Sequence, residues 1–379
     1  MENKKQIEQE NACAYWLYQL SGIGKSTQYH LLSAFGSARA VFEGNERELC
    51  KTVNEKQLQT ILHGREDWDV EKQYELLQKE GVSFYGRNHP GYPGRLRDIP
   101  DAPAGLFVKG RLPQPDQVSV AIIGARMCSE YGRYTARQFG CQLAQAGIQI
   151  ISGMARGIDG ISQKAALEAG GVSFGVLGCG VDICYPRENR ELYEQLQTKG
   201  GVISEYLPGV QPQPGFFPPR NRIISGLADA VLVIEAKEKS GTLITVDMAL
   251  EQGREVYALP GRVTDSLSRG CNHLIRQGAG ITLSPQDLRE ELERILSVNW
   301  RLDEDAYEEA EEKTEDYLDR LLEKKEKEVY IKLDWHPQTI EQLKKELPEF
   351  TLPELMQLLM QLCLKQLASQ INGQFVRTR

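Results

Sequence analysis

Residues 119–126 read Ser119-Val-Ala-Ile-Ile-Gly-Ala-Arg126, and residues 148–159 read Ile148-Gln-Ile-Ile-Ser-Gly-Met-Ala-Arg-Gly-Ile-Asp159. Each is a short apolar run that passes straight into glycine and arginine. The same design recurs at Val172-Ser-Phe-Gly-Val-Leu177, Val202-Ile-Ser204, Ala230-Val-Leu-Val-Ile-Glu235 and Glu255-Val-Tyr-Ala-Leu259. Helical segments are expected between the runs, at Tyr131–Ala146, Ile161–Ala169, Glu188–Lys199 and Thr242–Gln252. A strand without polar alternation is buried on both faces, and such strands alternating with helices make a parallel sheet in an α/β fold. Ligands of these sheets bind beyond the carboxyl ends of the strands. Here those ends are rich in Gly, Ser, Arg and Asp.

The flanks differ. Residues 1–82 read as helical: Ala12–Leu20 has helical periodicity and ends at Ser21-Gly22-Ile23-Gly24, and a second helix spans about Lys25–Phe35 and closes at Gly36. Near the other end, Thr339-Ile-Glu-Gln342 and Thr351-Leu-Pro-Glu354 are capping boxes. Asn372-Gly373 between Ser369-Gln-Ile371 and Gln374-Phe-Val376 signals a hairpin. Helices followed by a hairpin describe a winged helix over 327–379. The expected division is 1–82 helical, 83–296 sheet domain, 297–326 acidic linker and 327–379 winged helix.

The chain has 379 residues, 41% apolar and 26% charged, with a net charge of -8. Length alone implies more than one domain. No apolar run approaches the roughly 20 residues of a membrane span, and the polar start has no signal-peptide core, so a cytoplasmic protein without membrane contact is expected. An acidic total argues at first against nucleic acid, but ten acidic and three basic residues fall between Arg301 and Arg320. The other residues are therefore near neutral. The eight cysteines form no Cys-x-x-Cys pair and the five histidines are scattered, so free thiols and no metal site are expected.

Several motifs reduce to structure. Gly22-Ile-Gly-Lys-Ser26 resembles the end of a phosphate-binding P-loop, but Gln19 stands where the upstream glycine belongs and a helix precedes it. It reads either as a helix-hairpin-helix turn whose free N–H groups face a phosphate or as a plain helical hairpin. Gly171-Val-Ser-Phe-Gly175 has the hydrolase spacing, but Ser173 lies inside a strand where a sharp strand-to-helix turn is needed. Gly178-Cys-Gly180 lacks the third glycine of a dinucleotide fingerprint; no cofactor is expected.

Three strand ends carry more. Gly124-Ala-Arg126, Ser152-Gly153 leading to Arg156, and Ser240-Gly-Thr242 each put small residues at a helix start, where backbone N–H groups and the helix dipole stabilise an anion. Arg187, Phe217, Arg220, Asn221 and Arg222 add cations and an aromatic. Converging arginines suit a polyanion backbone better than a single phosphate. The acids Asp159, Asp182, Glu205 and Glu235 have no histidine beside them and are expected to cap helices or bind arginines. The helix after Thr351 is nearly all apolar, with only Gln357 and Gln361 able to read bases, which favours protein contact there over sequence-specific DNA binding.

The middle region resembles the DNA-processing protein A (DprA/Smf) family. The matching residues are Gly124-Ala-Arg126, Ser129-Glu-Tyr-Gly132, Ser152 to Asp159, Gly178-Cys-Gly-Val-Asp182 with Tyr185-Pro186, Ser204-Glu-Tyr206, Phe217 to Leu227, Ser240 to Thr245, Gln252 to Val256, Pro260-Gly261 and Gly270 to Ala279; Gly91-Tyr-Pro93 matches the opening segment. The resemblance implies an extended Rossmann fold with a SAM-like helical domain before it. It also implies single-stranded DNA binding that protects incoming DNA, homodimerisation, and loading of the RecA recombinase in natural transformation, without enzymatic activity. The DNA contacts it implies are Arg126, Arg187 and Arg220-Asn-Arg222, with a phosphate pocket at Ser152-Gly153 and Ser240-Gly-Thr242. Some positions depart from the family: Ala125 replaces a serine, Ser162-Gln163 stands where Ala-His is common, and Arg187 stands where lysine is usual. The alternatives are a Rossmann-fold nucleotide-processing enzyme using Asp159 or Glu235, and a winged-helix regulator with a ligand-sensing sheet domain.

Overall fold

The six apolar runs become the middle of a nine-stranded sheet in the computed structural model, which describes residues 2–296 and 321–378. The strands are β1 (Ser83–Gly86), β2 (Gly105–Gly110), β3 (Ser119–Ile123), β4 (Gln149–Ser152), β5 (Ser173–Val176), β6 (Gly201–Ser204), β7 (Ala230–Val233), β8 (Glu255–Ala258) and β9 (Gly280–Ile281). Their order is β1-β2-β6-β5-β4-β3-β7-β8-β9, and β2 is antiparallel to both its neighbours while β6 through β9 run parallel. The chain steps outward from β3 to β4, β5 and β6, then returns to the other side of β3 for β7. That reversal opens a crevice at the carboxyl end of β3.

The absence of polar alternation follows from burial on both faces. Val120 and Ile122 of β3 pack with Phe139 and Leu143 of the helix Glu130–Gln145 on one face. Ala121 and Ile123 pack with Ile223 and Leu227 of the helix Phe217–Leu227 on the other. Crossover helices run antiparallel to the strands, so the N-termini of Ile158–Glu168, Phe217–Leu227 and Gly241–Glu251 all lie at the carboxyl edge. The helix Phe217–Leu227, the edge strands β1 and β9, and β2 beside β1 are not legible in the sequence. β1 has four residues and β9 two, too few to give periodicity, and two prolines at the start of Phe217–Leu227 read as a loop until they are seen in its first turn, where proline is tolerated.

Before the sheet, the helix Glu2–Gln19 is followed by Lys25–Phe35, which ends at Gly36 (φ 81°) with its N–H on the Leu32 carbonyl. Tyr15 of the first helix lies against Phe84 and Phe107, with ring centroids 5.5 and 6.0 Å away, so the helices share a core with β1 and β2. Later in the chain, helices Lys324–Lys332, Ile340–Glu346 and Leu352–Leu364 precede a hairpin of Ala368–Ile371 and Gln374–Arg377 around their own apolar core. Both threonine capping boxes form. Asn372 and Gly373 take φ of 50° and 80°, as a two-residue hairpin turn requires. The acidic stretch 301–320 lies outside the described residues. All eight cysteines are free, and among the described residues no helix is long and apolar enough to cross a membrane.

Candidate nucleic-acid interface

An open cleft of about 790 Å³ lies over the carboxyl ends of β3, β4 and β7. Gly124, Arg126, Phe217, Arg220, Asn221, Ser240, Gly241 and Thr242 all line it, contributed by three separate segments. A side pocket of about 60 Å³ adds Gly153 and Arg156. The sheet topology is what gathers these segments.

Arg220 is the buried member of the set, at 5% exposure. Its Nη1 donates to the carbonyls of Gly153 and Val176, so it ties the β4 and β5 ends together from beneath. Burial pushes its guanidinium down to about 10, with Asp159 opposing the fall, and it stays charged at neutral pH. Asp159, also buried, accepts from the Gly153 N–H at 3.1 Å. Burial pushes its carboxyl up, against the pull of Arg220. The two groups thus form a mutually compensating charge couple around Gly153, as expected of a structural acid.

Arg126 is exposed and lies 5.8 Å from the Phe217 ring. Tyr185 stacks on Phe217 with centroids 5.5 Å apart, so the two rings make an apolar wall between guanidinium groups. At Ser240, which precedes the helix Gly241–Glu251, the hydroxyl is buried and has no partner among the described residues. Tyr185, a matched position of the resemblance but not one of the expected contacts, and Lys237, which has no part in it, are both in the lining. Lys237 had a readable signal, since it stands just past the β7 run, at a strand end.

Three expected site residues lie elsewhere. Arg222 is two residues along the helix from Arg220 and faces away from the cleft. It is buried in a bidentate pair with Glu205 at 2.9 and 2.7 Å and a contact to Asp101 at 3.1 Å. Ser152 is fully buried and donates its hydroxyl to the Ile122 carbonyl at 2.6 Å, which stitches β4 to β3. Arg187 is exposed on the turn Arg187–Asn189, outside the residues lining the cleft. Arg156 lines the side pocket while ion-paired to Glu188.

The other acids are also accounted for. Glu205 receives Lys25 of the Gly22–Ser26 turn at 2.7 Å, so that lysine is engaged within the chain. Asp182 accepts from the Gly209 N–H. Glu235 accepts from the Ser129 N–H at 2.9 Å and from its hydroxyl at 2.5 Å, and Ser129 in turn caps the helix Glu130–Gln145. Burial pushes the Glu235 carboxyl up. Asp159 and Glu235 line different cavities. Ser173 is buried and bonded to the Ile150 carbonyl, and Gln163 holds the Met154 N–H at 3.0 Å while donating to Phe174. The residue at the family's histidine position therefore braces the loop after β4.

The approach of two strand-end loops depends on Gly157. Its φ is 72°, and a Cβ there would stand 2.2 Å from the Ala125 carbonyl and 2.6 Å from that of Arg126. Neither backbone atom can move without opening the cleft. Gly157→Ala is expected to destabilise the protein by roughly 2 kcal/mol or more, because strain and a steric clash coincide. Urea denaturation measures this, and a loss below about 0.5 kcal/mol would show that the loops are free to separate.

Residues 83–293 match the family model described as DNA recombination-mediator protein A. The DNA processing protein DprA of Streptococcus pneumoniae (strain R6) is 45% identical over 202 residues, covering 53% of this chain and 71% of that protein. The X-ray structure of DprA from Streptococcus pneumoniae superposes with a TM-score of 0.64 at 33% identity over 74% of this chain and 97% of the other. The structure of DNA processing protein A from Helicobacter pylori, described for its single-stranded DNA binding mode, gives 0.51 at 28% identity over 56% and 96%.

Proposed function

The chain belongs to the DNA recombination-mediator protein A family, and from that premise we propose that it binds single-stranded DNA in the strand-end cleft and delivers it to the RecA recombinase. The observation that carries the reading is the cleft's composition. Arg126, Arg220 and Lys237 supply positive charge, the Ser240–Thr242 helix start supplies backbone donors and an unpartnered hydroxyl, and Phe217 with Tyr185 supplies a ring surface. Guanidinium groups set beside rings suit a single strand held by phosphate contacts and stacking. The relative from Helicobacter pylori, with its single-stranded DNA binding mode, supports the same class of ligand.

In this reading Arg126, Arg220, Asn221, Gly124, Gly153 and Ser240-Gly-Thr242 hold the strand. Arg156 and Arg187 lie along its exit, and Arg222 acts indirectly by fixing the helix that carries Arg220. The helices up to Lys79 form the SAM-like, helix-hairpin-helix module, and residues from 321 onward form a winged helix. Residues 297–320 serve as an acidic linker that keeps DNA on the sheet domain; the expected linker runs to 326, but Leu322 and the helix from Lys324 belong to the C-terminal core. The protein acts as a homodimer in the cytoplasm, protects incoming single strands during natural transformation, and works by binding without catalysis. The nucleotide-processing alternative has less support, since Asp159 is committed to the Arg220 couple and Glu235 to a helix cap in a different cavity.

Arg126→Ala tests this. The side chain is exposed, so folding should be unaffected. Single-strand affinity should fall about tenfold or more, and the slope of log affinity against log salt should become shallower by about 0.7, the value for one phosphate contact. Fluorescence anisotropy over a salt series measures both. Unchanged affinity with an unchanged slope would remove Arg126 from the site.

A further inference from the structure

The segment Asp334-Trp335-His336, ahead of the helix Ile340–Glu346, is seated on the sheet domain beside the cleft. Asp334 accepts from Arg262 Nη2 at 2.7 Å. The Trp335 ring stacks on Tyr134 with centroids 4.1 Å apart and planes 29° apart. His336 meets Asp265. Arg262 and Asp265 belong to the loop after β8, and Tyr134 to the helix Glu130–Gln145. The cavity beneath the seated segment, about 850 Å³, shares Ser266 and Leu267 with the cleft. A strand leaving the cleft across those two residues arrives at Arg262 and Tyr134.

A carboxylate on a guanidinium and a flat ring on a phenol are the contacts that a phosphate and a base would make at the same places. We propose that Arg262 and Tyr134 extend the path of single-stranded DNA, and that Asp334 and Trp335 occupy this extension as an internal nucleotide mimic that bound DNA displaces. The proposal rests on the DNA-binding reading above. Glu130, Glu235 and Asp265 line the same cavity and would repel further phosphates, so the extension has room for one phosphate at Arg262 and a base at Tyr134, with His336 shielding Asp265 while the segment is seated. Arg262 is 55% and Asp334 37% exposed, and ion pairs this open are weak. The seat is therefore weak enough for a competing strand to empty. While occupied, it lowers apparent affinity by the fraction of molecules in the open state.

The test uses the full chain carrying both Asp334→Asn and Trp335→Ala, with labelled oligothymidines of about 6 and about 25 nucleotides, lengths bracketing one binding surface of this kind. The longer oligomer should bind the variant on the order of threefold to tenfold more tightly than the wild type, as release of a seat occupied in roughly two thirds to nine tenths of molecules predicts. The shorter one, filling the cleft alone, should bind equally to both. Adding Arg262→Ala should remove the gain. Equal wild-type and variant affinities for the longer oligomer, or an equal gain at both lengths, would overturn the mimic while leaving DNA binding in place. Failure of the wild type to bind either oligomer would instead sink the DNA reading, and this proposal with it. If the double variant loses its circular-dichroism signature, Asp334→Asn alone should show the same length-dependent gain, and its absence there also overturns the mimic.

Discussion

Arg220→Ala should abolish single-strand binding in the cleft and also cost roughly 3 kcal/mol of stability. The side chain is 5% exposed and donates to two carbonyls at the ends of β4 and β5. Its removal orphans those acceptors and takes away the charge that offsets Asp159, 7% exposed. Stranding a buried charge typically costs about 3–5 kcal/mol, and Arg126 nearby recovers part of it. The variant has a distinctive pH dependence. Burial already holds the Asp159 carboxyl above 3.8, and without Arg220 it rises further. Between the unfolded value and a raised folded value the native state binds more protons, so stability falls as pH rises through that window. The deficit relative to wild type should therefore be smallest at pH values below about 3.8, the ordinary range of the group, where only the two lost carbonyl bonds contribute, and reach its full size at neutral pH. Urea titrations at several pH values measure it. A pH-independent deficit would mean that Asp159 does not depend on Arg220.

Glu205→Gln is expected to be about as damaging to stability, roughly 3 kcal/mol, although Glu205 lies outside the cleft. Glu205 is buried between Arg222 and Lys25, and Tyr18 donates to its carbonyl. The amide keeps the volume and loses the charge, leaving the Arg222 guanidinium at 6% side-chain exposure with Asp101 as its remaining acid partner. Burial alone would raise the Glu205 carboxyl, but bonds and charge from Arg222 and Lys25 outweigh it and hold the group below 4.5. A depressed folded value means that this stabilisation is present above the unfolded value and is lost as pH falls through the folded one. Wild type should thus lose stability on acidification in a step that Glu205→Gln lacks. Because Arg222 shares its helix with Arg220, single-strand affinity should also fall in the variant, by a few fold. A loss below about 1 kcal/mol would show that Asp101 alone suffices for Arg222.

These two variants mark where sequence reading succeeds and where it stops. Arg220 and Arg222 look alike in the sequence, both within Phe217-Pro-Pro-Arg-Asn-Arg222. A helix turns by about 100° per residue, so positions two apart point in very different directions. One arginine enters the cleft and the other enters the Glu205 pair. With the segment read as a loop, that divergence was hidden. Ser152 shows a related limit: as the last residue of β4 it bonds to Ile122 across the sheet, and strand pairing is not written in the run itself.

What the sequence determined alone is the parallel core. Strands buried on both faces must be nearly all apolar, so β3 to β8 announce themselves, and the glycines, serines and arginines that follow each run mark the ligand edge. The capping boxes and the Asn372-Gly373 turn are equally local, because their hydrogen bonds lie within a few residues. Tertiary structure decided which of the marked residues meet. Gly124, Gly153, Arg220 and Ser240 come from four segments, brought together only by the reversal of strand order at β3. The pairs Lys25–Glu205, Arg262–Asp334 and Tyr134–Trp335 join residues far apart in the chain. A local pattern records which face of an element is apolar, but the partner of a charge or ring depends on how whole elements pack, and that appears only in the fold.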